Sequence, residues 1–328
     1  SSMYNSTNIL IINYMKGYEE ACKSFEPKDL EVSAVGRHFM ITGANSGIGR
    51  ATAMVVAKKG GTVHMVCRNK GRAEEARAAI VNESGNTEVF IHIVDLSQTH
   101  KVSQFAENFK KQFSSLNVLI NNAGCMLHKR ELNAEGLEKN FATNIMGVYI
   151  LTQTLIPLLQ MSRDPRVITV SSGGMLVQKL RFDDLQSEKG SFDGLMVYAQ
   201  NKRQQVVLTE QWAKANPLIH FSVMHPGWVD TPAVSSSMPE FHHMMGERLR
   251  TVEQGADTVV WLALSRVVSR MCSGQFFQGE QQESDASRIT SSPSTPADDS
   301  FPLQIVSLFP PTSLWLGLTV LLMRCRLL

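Results

Sequence analysis

The stretch Thr42-Gly43-Ala44-Asn45-Ser46-Gly47-Ile48-Gly49 decides the fold, because it lies where an apolar strand ends and a helix begins. A bound pyrophosphate needs close approach to the backbone, which side chains would obstruct, and it gains from the N–H groups and positive end of the following helix. Gly43, Gly47 and Gly49 would allow that approach. Their spacing differs from the common GxGxxG fingerprint, and glycines also end strands for purely structural reasons. Taken alone, the turn leaves dinucleotide binding and an ordinary turn equally open.

Around this turn, from residue 36 to residue 279, strand-like runs alternate with helix-like segments. This βαβ rhythm predicts one α/β domain with a Rossmann-type, doubly wound, mostly parallel sheet. Several runs are rich in Val and Ile with little alternation, which is typical of strands covered on both faces. The predicted strands are 38–42, 62–67, 88–94, 117–121, 166–171 and 220–224. The first two predicted helices are 48–59, closed by Gly60 and Gly61, and 72–83, closed near Gly85.

Both ends of the chain lie outside this domain. Residues 1–35 are predicted to form an N-terminal extension, whose apolar patch at 9–12 is too short for a secretory signal. Residues 280–300 are crowded with Gln, Ser, Thr, Pro and Asp, which predicts a disordered linker. Residues 301–328 form an apolar C-terminal tail, but its run 314–323 falls short of the ~20 residues of a spanning helix. Membrane attachment by the tail is therefore doubtful, and an alternative C-terminal exon explains it better than a tail anchor.

The bulk composition narrows the classes of partner. The chain has 43% hydrophobic and 19% charged residues, and its formal net charge of +2 is too small to indicate nucleic acid or an anionic membrane surface. Its five cysteines are scattered without CxxC spacing, so we expect no metal site and reduced thiols in the cytoplasm. Peripheral or tail-anchored membrane association is the alternative location. A small-molecule ligand fits these properties best, and a homo-oligomer is an open alternative to a monomer.

The ends of the second, third and fourth predicted strands carry residues suited to the adenosine half of a cofactor. Many NAD-binding sheets place an acid after the second strand, where this chain has Arg68. A guanidinium can pair with a 2′-phosphate, so Arg68 favours NADP over NAD, although a solvated arginine or a role shared with Arg72 is an alternative. Asp95 suits an adenine amino group or a simple turn. The run Asn121-Asn122-Ala123-Gly124 would let the backbone pass near the cofactor, or form an ordinary turn.

Ser172, Tyr198 and Lys202 are the candidate catalytic residues. Ser172 follows an apolar strand, and Tyr198 and Lys202 share one face of a predicted helix. A phenol with a pKa near about 10 is a poor base, but a nearby ammonium favours its phenolate and allows proton exchange with an alcohol. Ser172 would hold the substrate oxygen, and Asn144, on an earlier helix, could hold a relay water. Each feature alone is common by chance, but all of them fall at or near the carboxyl edge of successive strands, where α/β sheets bind ligands.

The segments TGANSGIG, NNAG, VSS, YAQNK and HPGWVDT together resemble a short-chain dehydrogenase/reductase over residues 36–279, with retinol-dehydrogenase-like enzymes among the broader relatives. The resemblance implies an oxidoreductase in which Tyr198 is the general acid/base, Lys202 binds the nicotinamide ribose and tunes Tyr198, Ser172 orients the substrate and Asn144 completes a tetrad. With it we expect cofactor contacts from Gly43, Asn45, Ser46, Gly47, Ile48, Gly49, Arg68, Asp95, Leu96, Asn122, Ala123, Tyr198, Lys202, Pro226, Gly227 and Thr231.

The resemblance implies an alcohol or a ketone as the substrate. Residues 233–250 lie where this family keeps its substrate lid, and Met238, Met244 and Met245 would line an adaptable apolar pocket for a lipid-like molecule. The alternative is that these methionines pack the lid helices. A catalytically silent NADP-binding protein, which senses the cofactor or binds other proteins, is the alternative function.

Overall fold

The computed structural model describes residue 18, residue 22 and residues 25–282. The predicted tail, most of the predicted linker and most of the N-terminal extension lie outside these described residues. Within them, eight strands form one sheet with helices on both faces. The strands are β1 (His38–Thr42), β2 (Thr62–Cys67), β3 (Val89–Ile93), β4 (Val118–Asn121), β5 (Arg166–Val170), β6 (His220–His225), β7 (Gln275–Gln278) and β8 (Gln281–Gln282). The helices are α1 (Gly47–Lys58), α2 (Lys70–Ser84), α3 (Thr99–Gln112), α4 (Lys139–Gln160), α5 (Gly194–Ala215), α6 (Pro232–Ser237), α7 (Pro239–Met245) and α8 (Val252–Leu264).

The sheet has the order β3-β2-β1-β4-β5-β6-β7-β8, and every pair except β7 with β8 is parallel. This confirms the predicted Rossmann-type, doubly wound sheet. The chain changes direction across the sheet between β1 and β4, and α/β folds bind ligands at the carboxyl ends of the strands beside such a point. Gln281 and Gln282, which the sequence assigns to the linker, pair with Gln278 and Phe277, because backbone pairing does not require apolar side chains.

The central strands match the predicted bounds to within one or two residues. Every residue of β4 and β5 is buried, and so is every residue of β1 and β6 except the first. Alternate side chains enter two different apolar cores, with Leu119 and Val167 on one face and Ile120 and Ile168 on the other. Strands covered on both faces therefore need continuous apolar runs, which is the pattern that identified them.

Helix α2 begins earlier than the sequence predicted. The side chain of Asn69 caps it, because Asn69 Oδ1 accepts a hydrogen bond from the backbone N–H of Arg72 at 3.0 Å. Lys70 and Gly71 therefore belong to the first turn. The helix ends as predicted at Gly85, whose φ of 70° is the left-handed conformation that glycine adopts readily.

Helix α4 is largely buried. Among the described residues it is the one helix that is long and apolar enough to cross a membrane, with a mean hydropathy of 1.3, yet 83% of its most apolar window is buried inside the protein. Core helices of globular proteins share this composition because they have no face toward water. Its second turn, Ala142–Met146, is π-helical, a local distortion that frequently occurs at functional sites.

A buried arginine stabilises the amino edge of the sheet. Arg166 is 1% exposed; its Nη2 lies 2.6 Å from Asp164 Oδ2, and its Nη1 donates to the carbonyl of Leu262 at 2.8 Å. Arg37 lies 3.5 Å from the same carboxylate and donates to the carbonyl of Ala263 at 3.3 Å. Together the two arginines provide donors for carbonyls at the C-terminus of α8, which has no further helical turn to supply them.

Replacement of Arg166 by methionine removes the donor from the Leu262 carbonyl and leaves Asp164 with Arg37. We expect the free energy of unfolding, measured by urea denaturation, to fall by about 2 kcal/mol, mainly because a buried carbonyl loses its partner. Arg163→Met, an exposed position in the same loop, is the control and should change it by less than about 0.5 kcal/mol. Equal losses in the two variants would contradict the assigned role.

Candidate active site

The carboxyl edge of the sheet brings the predicted site residues together. The glycine turn follows β1, Asn122 and Ala123 follow β4, Ser172 lies just beyond β5, and Pro226 follows β6. These four strands are adjacent in the sheet, so their loops border one crevice. Tyr198 and Lys202 reach the same edge from α5.

The glycine turn packs against its neighbours too closely for side chains. Gly43 has a φ of +68°, and a Cβ on it would lie 3.2 Å from Ala123 and from Asn122 Nδ2. A Cβ on Gly49 would lie 2.5 Å from Asn122 Nδ2 and 2.5 Å from the carbonyl oxygen of Gly43. A Cβ on Gly47, whose φ is +53°, would lie 3.2 Å from Thr231 Cγ2. The turn is therefore held between the loops after β4 and β6 by close backbone packing.

Thr42, the last residue of β1, joins the first loop to the loop after β4. Its Oγ1 accepts hydrogen bonds from the backbone N–H groups of Asn122 at 3.0 Å and Ala123 at 2.9 Å. In return, Asn122 Nδ2 donates to the carbonyl of Thr42 at 2.8 Å. Sequence reasoning did not single out Thr42, although a hydroxyl that ends an apolar strand was a usable signal.

The residues predicted for the adenosine half occupy the loops after β2 and β3. Arg68 is exposed at the end of β2, and its charge opposes the rise in the pKa of the Cys125 thiol that burial causes. Asp95 Oδ1 accepts from the N–H of Ser97 at 2.9 Å and from its hydroxyl at 2.8 Å. These contacts support the interpretation of Asp95 as a turn residue. Leu96 is buried, and its carbonyl lies against Gly147 of α4.

Lys202 is a buried ammonium with defined acceptors. It is 2% exposed, and its Nζ donates to the carbonyl of Val170 at 2.8 Å and to Gln205 Oε1 at 3.1 Å. The same Nζ lies 5.4 Å from the centroid of the Tyr198 ring. Burial lowers the pKa of Lys202 to about 8, although the neighbouring Cys125 acts in the opposite direction. The side chain therefore titrates close to physiological pH.

The pKa of Tyr198 lies above its ordinary value. Burial raises it to about 12, and Cys125 adds to the rise. The prediction that Lys202 favours the phenolate of Tyr198 stays a prediction, because the shift described here comes from burial and from Cys125. The ammonium lies over the ring, and its described hydrogen bonds are with Val170 and Gln205. At 5.4 Å from the ring centroid the ammonium is within the range of a cation–π contact with Tyr198.

Asn144 braces the loop after β4 from the π-helical turn of α4. Its Oδ1 accepts from the N–H of Cys125 at 2.9 Å, and its Nδ2 donates to the carbonyl of Cys125 at 2.9 Å. Its own carbonyl accepts from Gln205 Nε2 at 2.8 Å. The relay water on Asn144 stays a prediction, since a carbonyl oxygen that accepts from one amide has a second lone pair for another donor.

Asn140, one turn earlier on α4, makes the same kind of contact with the next part of the loop. Its Oδ1 accepts from the N–H of Leu127 at 2.7 Å, and its Nδ2 donates to the Leu127 carbonyl at 3.2 Å. The buried carboxylate of Glu138 in turn accepts from Asn140 Nδ2 at 3.0 Å. Sequence reasoning missed Asn140, although its spacing of four residues from Asn144 places both amides on one helix face.

Ser172 begins a short 3₁₀ turn, Gly173–Val177, and its Oγ accepts from the N–H of Gly174 at 3.3 Å. The N–H of Gly173 donates to His225 Nδ1 at 2.9 Å. Burial lowers the pKa of His225 to about 3, so the imidazole stays neutral and its Nδ1 can accept. The loop after β5 is therefore attached to the end of β6, which fixes the backbone that carries Ser172.

The predicted turn after β6 is supported by Arg250. Its Nη1 donates to the carbonyl of Pro226 at 3.1 Å, and a Cβ on Gly227 would lie 2.5 Å from its Nε. The ring of Tyr18, from the N-terminal extension, covers the guanidinium with the Cζ atom 5.3 Å from the ring centroid. Thr231 Oγ1 caps α6 by accepting from the N–H of Val234 at 3.2 Å. Pro226, Gly227 and Thr231 thus lie together beside the glycine turn.

The methionines of the segment 233–250 were predicted either to line an apolar pocket or to pack its helices, and they differ in exposure. Met245 is 3% exposed, which favours the packing role, whereas Met244 is 60% exposed. Trp228 and Phe241 pack with their ring centroids 4.5 Å apart and hold α7 against the turn after β6. The segment 233–250 is therefore anchored by aromatic contact, and Met244 still presents an apolar side chain to its surroundings.

Comparison with known proteins agrees with this geometry. The sequence profile of the short chain dehydrogenase family matches residues 37–240. The chain is 61% identical over 290 residues to dehydrogenase/reductase SDR family member 12 of Bos taurus, covering 88% of this chain and 91% of that protein. It is 34% identical over 250 residues to retinol dehydrogenase 12 of Homo sapiens, covering 75% of this chain and 78% of the relative. The resemblance predicted from the motifs is confirmed.

Solved structures show the same fold. A short chain dehydrogenase from Escherichia coli CFT073, complexed with NADPH, superposes with a TM-score of 0.60 at 22% identity, over 75% of this chain and 98% of the other. A 3-ketoacyl-(acyl-carrier-protein) reductase from Brucella melitensis, complexed with NADH, gives a TM-score of 0.59 at 26% identity, over 75% of this chain and 97% of the other.

Gly49→Ala tests the glycine turn as a dinucleotide site. Its Cβ would displace the Gly43 carbonyl or the Asn122 amide, so we expect the affinity for NADPH, measured by fluorescence titration, to fall by at least about tenfold, or roughly 1.4 kcal/mol. Gly71→Ala is the matched control, since it also lies in a first helical turn but meets only Asn69 Oδ1 at 3.8 Å. Unchanged affinity in Gly49→Ala would reject this site.

Proposed function

The chain belongs to the short chain dehydrogenase family of oxidoreductases, and we propose that it transfers a hydride between NADP(H) and an alcohol or carbonyl substrate, with Tyr198 as the general acid/base. The observation that carries this proposal is the placement of the buried Lys202 ammonium beside Tyr198, at the sheet edge that also holds the glycine turn. Ser172, at the same edge, would hold the substrate oxygen, as the family resemblance implies.

The residues present fit a nicotinamide dinucleotide. The close packing at Gly43 and Gly49 leaves backbone at the start of α1, where a pyrophosphate can accept from N–H groups. Gly124 keeps space open beside the catalytic groups, because a Cβ there would lie 3.2 Å from Asn144 Oδ1 and 3.6 Å from Lys202 Nζ. When bound, the cofactor would supply the hydride donor or acceptor.

The proton step follows from the pKa of Tyr198. With a pKa raised to about 12, the phenol is protonated at neutral pH and can donate its proton to the oxygen of a carbonyl substrate that is being reduced. In the opposite direction the phenolate must form first, so positive charge near the ring is needed. Lys202 provides one such charge below its pKa of about 8.

NADP is the proposed form of the cofactor, with NAD less favoured. Arg68 stands at the end of β2, where an acid would repel a 2′-phosphate and a guanidinium can pair with it. The solved relatives do not decide the choice, since one is complexed with NADPH and another with NADH. The proposal therefore depends on Arg68.

The proposed substrate is a small, lipid-like alcohol or ketone. A retinol dehydrogenase is among the relatives, and retinol is an apolar alcohol. The exposed side chains of Leu195, on the first turn of α5, and Met244, on α7, are apolar and lie on the two elements that carry Tyr198 and the lid. Such side chains suit contact with an apolar ligand.

Tyr198→Phe should reduce turnover by at least about 100-fold while leaving NADPH affinity within a factor of about two, because only the exchangeable proton is removed. The assay follows NADPH absorbance with a panel of ketones, aldehydes and retinoids. If the wild type binds NADPH tightly and turns over none of them, the silent NADP-binding protein becomes the better description.

Arg68→Ala should weaken NADPH binding by at least about tenfold and leave NADH binding unchanged, because only NADPH carries the 2′-phosphate. Titration of both cofactors against wild type, Arg68→Ala and Arg72→Ala separates the two arginines. Equal affinities of the wild type for NADPH and NADH would rule out the proposed preference.

A further inference from the structure

Gln205, three residues after Lys202 on α5, is a buried polar side chain with no role in the proposed hydride or proton transfer. It is 1% exposed. Its Oε1 accepts from Lys202 Nζ at 3.1 Å, and its Nε2 donates to the backbone carbonyl of Asn144 at 2.8 Å. One planar amide therefore connects the ammonium to the π-helical turn of α4.

The chemistry of the two partners determines how this amide is oriented. An ammonium has only donors, and a carbonyl has only an acceptor, so the oxygen must face Lys202 and the nitrogen must face Asn144. An ionised glutamate could accept from Lys202 but could not donate to the carbonyl. A methionine has similar length and provides neither function. Glutamine alone among side chains of this length serves both partners.

Further buried amides continue this arrangement. Asn144 Nδ2 donates to Asn201 Oδ1 at 3.2 Å, and Asn201 Nδ2 donates to Gln204 Oε1 at 3.3 Å. The exposed fractions of Asn144, Asn201 and Gln204 are 0%, 2% and 3%. Amides buried to this extent with partners at every step hold one arrangement, because each alternative leaves a polar group unpaired.

We propose that Gln205 is a positioning residue for Lys202: its amide holds the ammonium against β5 and beside Tyr198, and it joins the ammonium to the Asn144 carbonyl. The inference rests on the proposed function for its catalytic consequence, since Lys202 is the group that would bind the nicotinamide ribose and act on Tyr198. The Lys202–Gln205 contact lies within the protein itself, so its effect on the lysine can be tested without measuring turnover.

The test compares Gln205→Met with Gln205→Glu in the full chain. Loss of the acceptor disfavours the charged lysine, so the pKa of Lys202 should fall further below about 8 in Gln205→Met. A carboxylate at the same distance favours the charged form and should raise that pKa by about one unit or more. NADPH affinity is measured by fluorescence from about pH 7 to about pH 10. Relative to the wild type, it should begin to fall at a lower pH in Gln205→Met and at a higher pH in Gln205→Glu.

Opposite shifts in two variants of similar size separate positioning from damage, because general loss of packing weakens binding in the same direction in both. Gln200→Met is the matched control. Gln200 lies on the same helix, but its described hydrogen bonds are with Gln178 Oε1 and the carbonyl of Lys179, so the pH at which NADPH affinity falls should match that of the wild type. Shifts in the same direction for both Gln205 variants, or a shift as large in Gln200→Met, would overturn the proposal.

A second readout keeps this inference distinct from the proposed function. The folded pKa of Lys202 is about 8 and its ordinary value is 10.5, so the unfolded chain binds more protons between these values and stability rises with pH across that interval. Relative to the wild type, the rise should begin at lower pH in Gln205→Met and at higher pH in Gln205→Glu. A wild type that binds neither NADPH nor NADH defeats the proposed function alone. Identical stability profiles in all three proteins defeat the Gln205 proposal alone.

Discussion

The buried charge of Lys202 is the constraint on which the candidate active site depends. Taking an ammonium out of water is costly unless its protons find acceptors, and here a main-chain carbonyl of β5 and the amide of Gln205 accept them. Both acceptors are themselves fixed, one by the sheet and the other by the carbonyl of Asn144. The hydrogen bonds around this one ammonium therefore fix β5, α4 and α5 relative to one another. Tyr198, on α5, is positioned with them.

The two halves of the crevice use different kinds of groups, namely backbone in one half and polar side chains in the other. The half around the glycine turn is made of backbone in close contact, with Thr42 and Asn122 exchanging hydrogen bonds between loops. The half around Tyr198 is made of polar side chains whose pKa values burial has moved. Close backbone suits the recognition of a phosphate group that all dinucleotides share, whereas shifted side-chain pKa values suit proton exchange at one position.

Most of the fold could be predicted from the sequence, because β1, β4, β5 and β6 are covered on both faces and their apolar runs are uninterrupted. The start of α2 was missed, since the cap made by Asn69 depends on a side-chain rotamer rather than on periodicity.

Local motifs identified Tyr198 and Lys202, which lie within one helix. Thr42 and Asn140 were missed although the sequence carried a signal for each of them. The part played by Gln205 could not be predicted, because its bond to the Asn144 carbonyl joins segments 61 residues apart. The spacing predicted that Lys202 lies close to Tyr198, but it could not predict that partial burial raises the pKa of the phenol.

The aromatic ring that covers Arg250 changes where the folded unit begins. A boundary at residue 36 marks the start of the sheet, yet Tyr18 lies over the guanidinium that supports Pro226, and Asp29 accepts from the indole of Trp261 at 2.9 Å. A shortened protein that starts at residue 36 would keep all eight strands and lose the outer wall of the turn after β6. A shortened protein should therefore begin before Tyr18, because loss of this ring would uncover the guanidinium that donates to the Pro226 carbonyl.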